Sequence, residues 1–192
     1  MNYASFFSYT ILQIITPGPN NIMAMNNGIR HGVLKSFGFN LGVLTGQTIN
    51  MLLASLFSSY LYKLVPQLKP YVTFIGAAYI LYLAYKTFKS KPGNGSSGAS
   101  IQRFLPGLAV QFINPKGVLM ALTVASVYVT PNFDAFLPIM LLSLLVGFMC
   151  LASTVIWGSF GSLFQYFYSK NYKVINAVMA VLLVYCAASL FL

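Results

Sequence analysis

Gln13-Ile14-Ile15-Thr16-Pro17-Gly18, near the start of the chain, returns 98 residues later as Gln111-Phe112-Ile113-Asn114-Pro115-Lys116-Gly117. The shared pattern is Gln-x-Ile-(Thr or Asn)-Pro, and its displacement is half of the 192 residues. Thr and Asn favour the position just before a helix, and proline the first helical position, where its missing N–H would be unpaired anyway. Thr16-Pro17 and Asn114-Pro115 therefore each predict a helix start. Yet each lies about ten residues into an apolar run, about 15 Å deep at 1.5 Å per residue. A crossing segment that restarts at mid-depth is broken or sharply kinked, which lipid tolerates only against protein or a wet cavity. The exposed N–H groups of such a start carry partial positive charge suited to an anion, typically a carboxylate. The alternative is an ordinary proline kink satisfied by neighbouring helices.

The runs that hold these motifs are part of a wider pattern. Hydrophobic residues make up 58% of the chain and charged ones only 6%, against about 25% charged in soluble domains. Apolar stretches of about 20 residues, enough to cross a bilayer, lie at 4–26, 37–61, 71–88, 104–129, 136–165 and 174–192. The predicted fold is an all-α integral membrane domain over 1–192, six transmembrane helices with the first and fourth broken at Thr-Pro and Asn-Pro. Three spans per half is an odd number, so the second half runs inverted, a transporter architecture. Repeat one covers about 1–90 and repeat two about 103–192. Between them, Gly93-Asn94-Gly95-Ser96-Ser97-Gly98 reads as a flexible linker. The first span is not a removable signal peptide, having no basic start and no small-residue cleavage pattern.

Charge sets the expected orientation. Eight cations, Arg30, Lys35, Lys86, Lys89, Lys91, Arg103, Lys170 and Lys173, follow spans 1, 3 and 5, whereas Lys63, Lys69 and Asp134 fall on the other side. The cationic side is the cytoplasmic one by the positive-inside rule. The chain is thus expected as a multi-pass protein with both termini outside the cytoplasm. Tyr60, Tyr62, Tyr71, Tyr166 and Tyr168 stand near span ends as interfacial anchors. The net charge of +10 is spread between apolar runs, not clustered as in a nucleic-acid binder, so no nucleic-acid partner is expected.

Lys116 is the eleventh cation and the misplaced one. It follows the second break near the bilayer centre, where an unpaired lysine costs about 3 kcal/mol on insertion scales. The chain has no glutamate, and its one acid, Asp134, lies 18 residues onward. The absence of acids excludes paired-carboxylate hydrolysis and carboxylate metal cages. The partner we favour for Lys116 is the carboxylate of a substrate. A deprotonated amine, a lipid phosphate or direct hydration are the alternatives.

At Thr16-Pro17-Gly18-Pro19-Asn20-Asn21 the chain resembles the LysE/RhtB family of amino-acid exporters, whose first span carries that signature. The likeness continues at Gly76-Ala77-Ala78-Tyr79-Ile80, Leu83-Ala84-Tyr85-Lys86, Gln111 to Lys116 and Leu182-Leu183-Val184-Tyr185-Cys186-Ala187. Within the family these segments are similar to the branch that exports cysteine and O-acetylserine. The resemblance implies a secondary exporter in the cell inner membrane, moving small neutral amino acids outward at the expense of a proton gradient. It also implies a homodimer, and no enzyme activity or cofactor. A dibasic substrate would want a buried carboxylate, which this chain lacks, so a small zwitterion or a thiol or ester derivative of serine fits better.

The substrate site is therefore expected at Gln13, Thr16, Pro17, Gly18, Pro19, Asn20, Asn21, Gln111, Asn114, Pro115 and Lys116, with Tyr79 offering an aromatic face to the ammonium. Lys116 is the first candidate for proton coupling. His31 is the second, although it reads better as a solvated histidine beside Arg30. Gln47 and Asn50 continue span 2 and are further candidates to line the cavity. Gly38, Gly42 and Gly46 mark a face of close helix approach, read as ordinary packing in preference to a sliding or dimer surface. Cys150 and Cys186 read as small buried residues. A thiol–disulfide carrier of related architecture would place cysteines where this chain has Thr16 and Asn114. A further rival, export of another solute or a metal ion, is weakened because hard cations want carboxylates and soft ones thiolates or imidazoles, and a passive small-solute pore would show flux without pH dependence. No metal ligand set is expected.

Overall fold

The computed structural model describes residues 1–89, 102–188 and 191, without the side chains of 58–69, 72, 165 and 169. The predicted linker Gly93 to Gly98 lies outside the described residues, as do the side chains of Tyr60, Tyr62, Lys63 and Lys69. Every regular element is helical: α1 (Tyr3–Ile15), α2 (Pro19–His31), α3 (Phe37–Leu56), α4 (Ser58–Lys89), α5 (Phe104–Ile113), α6 (Pro115–Val124), α7 (Phe136–Leu163) and α8 (Gln165–Ala188). One π turn, Ala125–Val129, extends α6. Each half of the chain thus presents a split helix followed by two long ones.

Local signals explain most boundaries. Asn2 accepts a bond from the Ser5 N–H and starts α1. Gly32 closes α2 at φ 78°, a conformation open to glycine, with its N–H on the Gly28 carbonyl at 3.0 Å. Two expectations need correction. Residues 62–70, expected to connect spans 2 and 3, are part of α4, which runs from Ser58 to Lys89. The loop expected between spans 2 and 3 shrinks to a joint at Phe57. Tyr168 is not an interfacial anchor. It is buried, with the Arg30 guanidinium 5.6 Å above its ring.

By length and apolar composition, α7 and the Lys170–Ala188 stretch of α8 each suffice to cross a membrane, and α5 with α6, bent by 69°, makes a third. Among the described residues, two of the expected crossings fall short of this measure for a local reason. α3 carries Asn40, Thr45, Gln47, Thr48 and Asn50, and α1 is apolar but only 13 residues long. Outward faces are greasy, with Leu12, Phe74, Leu105, Phe148 and Val181 among many exposed apolar side chains, as expected of a surface that meets lipid.

Packing divides at the breaks. One buried cluster joins α2, α3, α4, α7 and α8 through Ile22, Ile29, Val43, Ile80, Cys150 and Leu183. The other joins α1, α3, α6 and α7 through Phe6, Met51, Met120, Val124 and Val146. Gly42 and Gly46 pack α3 onto α5, where an added Cβ would sit 2.1 Å from the Phe104 carbonyl oxygen and 2.8 Å from the Gln111 Cβ. The glycine stripe is therefore an internal seam. Gly28 and Gly161 make a similar seam between α2 and α7.

A polar clasp closes one end of the bundle. Arg30 donates to Asn26 Oδ1 (2.9 Å), to the Thr87 carbonyl (2.8 Å) and to Asn176 Oδ1 (2.9 Å). It thereby caps the end of α4 and ties it to α2 and α8. The segments with Lys86 and Lys89, Lys173 and Arg30 consequently share that end, and Arg103 joins them beside Gly38. Replacing the half-buried guanidinium leaves three acceptors without their donor. Arg30→Gln should destabilise the protein by about 2 kcal/mol or more, and Arg30→Lys should recover only part, since an ammonium lacks the planar fork. Thermal unfolding in detergent reads this directly.

Candidate functional site

The two breaks face each other across one small cavity of about 40 Å³, lined by Gln13, Ile14, Thr16, Gly18, Asn20 and Asn21 from the first, and by Asn114, Lys116, Gly117 and Met120 from the second. Val43 and Gln47 of α3 and Cys150 and Thr154 of α7 complete the wall.

The second break forms as its sequence predicts. Asn114 is the N-cap of α6, its side chain accepting from the Lys116 N–H at 3.2 Å, with Pro115 at the first position. The first break differs. Thr16 ends α1 as its C-cap, and α2 begins two residues later with Gly18 as N-cap and Pro19 first. The cause is a second proline: Pro19 can also take the first helical position, and extended Gly18 (φ −162°) precedes it. No side chain caps α2, so the partial charge of its start is directed at the cavity that Gly18, Asn20 and Asn21 line.

The exposed carbonyls at the end of α1 find donors from three directions. Asn21 Nδ2 reaches the carbonyls of Ile14 (2.8 Å) and Thr16 (3.1 Å). Ser153 Oγ donates to Ile14 (3.2 Å) and Trp157 Nε1 to Ile15 (3.3 Å). Lys116 Nζ donates to the Thr16 carbonyl at 3.1 Å. A helix end inside a membrane protein is tolerable only when so satisfied. This corrects the reading of Lys116 as a cation without a protein partner. A helix C-terminus carries partial negative charge, and the ammonium sits on it. The same group lies 3.6 Å from where a Cβ on Gly18 would stand, so it bridges the end of α1 and the start of α2.

Behind the wall, amides lock the halves together. Asn20 Nδ2 donates to Gln111 Oε1 at 2.9 Å, and Asn20 Oδ1 accepts from Asn114 Nδ2 at 3.4 Å. Gln111 Nε2 donates to the Val43 carbonyl at 3.3 Å, and Asn50 Nδ2 holds the Gln111 carbonyl at 2.9 Å. Gln111 is fully buried and lies outside the cavity wall. Asn50 likewise supports the wall from behind.

The profile of the family described as LysE type translocator matches residues 11–192. The chain belongs to that family. Like other LysE type translocators it is a membrane transporter and not an enzyme. Among its relatives are the cysteine/O-acetylserine efflux proteins of Klebsiella pneumoniae subsp. pneumoniae, 34% identical over 96% of this chain and 94% of that protein, and of Escherichia coli, 34% identical over 98% and 96%. That of Salmonella choleraesuis is 31% identical over 100% and 98%. No solved structure matches the chain.

Of the residues expected at the translocator's site, the cavity gathers Gln13, Thr16, Gly18, Asn20, Asn21, Asn114 and Lys116. Pro17, Pro19 and Pro115 shape the breaks without lining the cavity. Tyr79 packs half-buried against the core, with its ring 6.4 Å from that of Tyr82. His31 stands at the far end of α2, about 18 Å of helix from the break. Sequence reasoning missed Ile14, Val43, Gly117, Met120, Cys150 and Thr154. Ordinary core residues carry no local sign of facing a cavity, and only the rotation of α7 brings Cys150 and Thr154 there.

Proposed function

We propose that this translocator exports small neutral amino acids, cysteine and O-acetylserine or close analogues, from cytoplasm to exterior by alternating access at the paired breaks. The observation that carries the reading is Lys116 Nζ, held between the end of α1 and the uncapped start of α2 on the cavity wall. A substrate carboxylate placed there meets a full positive charge and a helix N-terminus at once. The Thr16 carbonyl, released or shared, together with Gln13, suits the ammonium. Relatives named as cysteine/O-acetylserine efflux proteins supply the substrate class. A metal cargo has less support, because an ammonium at the centre repels cations and the donors around it are mostly amides.

In this reading the chain crosses the membrane six times as two inverted repeats, with the Arg30 clasp and Arg103 on the cytoplasmic side. Protons drive export, and Lys116 is the candidate to exchange its proton against substrate. Proteoliposomes loaded with labelled cysteine or O-acetylserine test this. Wild type should release both, faster with an imposed pH gradient. Release of neither from folded protein sinks the substrate assignment, and release indifferent to pH sinks the coupling.

A further inference from the structure

Four cavity-lining or cavity-backing amides, Asn20, Asn21, Asn114 and Gln111, have their side-chain nitrogens bonded inside the protein. Gln47 does not follow them. It is 1% exposed, it lines the cavity, and its Nε2 has no hydrogen-bond partner. A buried donor left open costs stability comparable to a lost hydrogen bond, so its natural occupant is an acceptor brought by the substrate. Its surroundings say which acceptor. The Lys116 ammonium, on the Thr16 carbonyl, occupies the end of the cavity at the breaks. Gln47 lies one turn along α3 from Val43 and beside Gly117, in a wall that Met120, Cys150 and Thr154 complete. Thr154 Oγ1 already donates to the carbonyls of Cys150 (3.1 Å) and Leu151 (3.0 Å). Thus, among the described residues that line the cavity, Gln47 supplies the fully buried amide donor open to a ligand, whereas Gln13 is only half-buried at the break.

We infer that Gln47 is a specificity-determining residue, whose side-chain N–H donates to an oxygen acceptor on the substrate's side chain. The inference rests on the amino-acid export reading and deepens it. An ester carbonyl, as in O-acetylserine, is a good acceptor, whereas a thiol is a weak one. A site built to hydrogen-bond a substrate group discriminates strongly against analogues that lack it. Gln47 should therefore matter for the ester and little for the thiol.

The test is efflux of labelled O-acetylserine and cysteine from proteoliposomes with wild type, Gln47→Met and Gln47→Asn. Methionine keeps length and volume without the donor, and asparagine withdraws the amide by one methylene. Both variants should lose O-acetylserine efflux about tenfold or more while cysteine efflux stays within about threefold of wild type. Retained cysteine flux also shows that the variant is folded. If both substrates fall in equal proportion, Gln47 serves the shared carboxylate or the structure, and the inference is overturned. Unchanged efflux of both overturns it as well. Wild type that moves neither overturns the export reading itself, a result distinguishable from the first two by the wild-type lane alone.

Discussion

Lys116→Gln should lower amino-acid efflux by about tenfold to a hundredfold, the equivalent of the roughly 1.5–3 kcal/mol that a hydrogen bond to a charged group contributes. The argument follows from where the ammonium sits. Its bond to the Thr16 carbonyl is one that a glutamine amide can partly replace, so the α1 end should survive the change. What glutamine does not replace is the charge offered to a carboxylate between the breaks. Lys116→Met removes both, and should lose efflux and also some thermal stability. Lys116→Arg keeps the charge on a longer, planar head that must fit beside Gly18, and should retain partial efflux. The pattern separates the two roles. Equal loss of stability in the Gln and Met variants would make Lys116 a cap alone. Residual efflux through Lys116→Gln that no longer responds to an imposed pH gradient would place proton coupling on this lysine. A response as large as that of wild type would place it elsewhere.

The breaks were legible because they follow local rules. Asn114-Pro115 contains both its cap and its first-turn residue, and α6 starts there. Thr16-Pro17-Gly18-Pro19 contains two prolines able to start a helix, and the pattern alone favoured the first. Backbone context, an extended Gly18 after the Thr16 cap, selects the second. The partner of Lys116 was not legible at all, since a backbone carbonyl leaves no mark in a sequence. Side-chain inventory pointed to the missing carboxylates, and the bond went to Thr16 instead. Likewise the sequence pattern sets residues 62–70 between spans 2 and 3, yet α4 continues through them. The cavity wall shows the same limit from the other side. Gln47 was recognisable as a polar residue on an apolar span, but that its buried nitrogen stays open while those of Asn20, Asn50 and Asn114 are bonded depends on the packing around it.

The glycine seams give the second large effect, and they invert the ordinary rule for helices. Within a helix, alanine is better than glycine by about 1 kcal/mol, so a Gly→Ala change should stabilise wherever space allows. At Gly28 the added Cβ would lie 2.0 Å from the Gly158 carbonyl oxygen, and at Gly161 2.1 Å from that of Met25. At Gly107 it would lie 2.1 Å from the carbonyl oxygen of Phe39. Each obstacle is backbone and cannot rotate away, so α2 must part from α7, or α5 from α3. Overpacking of this kind costs about 1–3 kcal/mol, more than the gain in propensity. Gly28→Ala, Gly161→Ala and Gly107→Ala should therefore each lower the melting temperature in detergent by several degrees, at about 2–4 °C per kcal/mol for a chain of this size. Two glycines on the same helices provide the contrast. The nearest atom to a Cβ on Gly158 is the Ala24 carbonyl oxygen at 3.4 Å, and for Gly38 the nearest atoms stand at 3.5 Å. Alanine at those positions should be neutral or stabilising. If Gly158→Ala melts as early as Gly28→Ala, the seam is not set by the close approach of Gly28 to the α7 backbone. If the two separate, the tight ends of α2 and α5 are what hold the bundle closed at the Arg30 end. A variant that parts α2 from α7 should then also weaken the Arg30 bonds to Thr87 and Asn176, so Gly28→Ala combined with Arg30→Gln should cost less than the sum of the two.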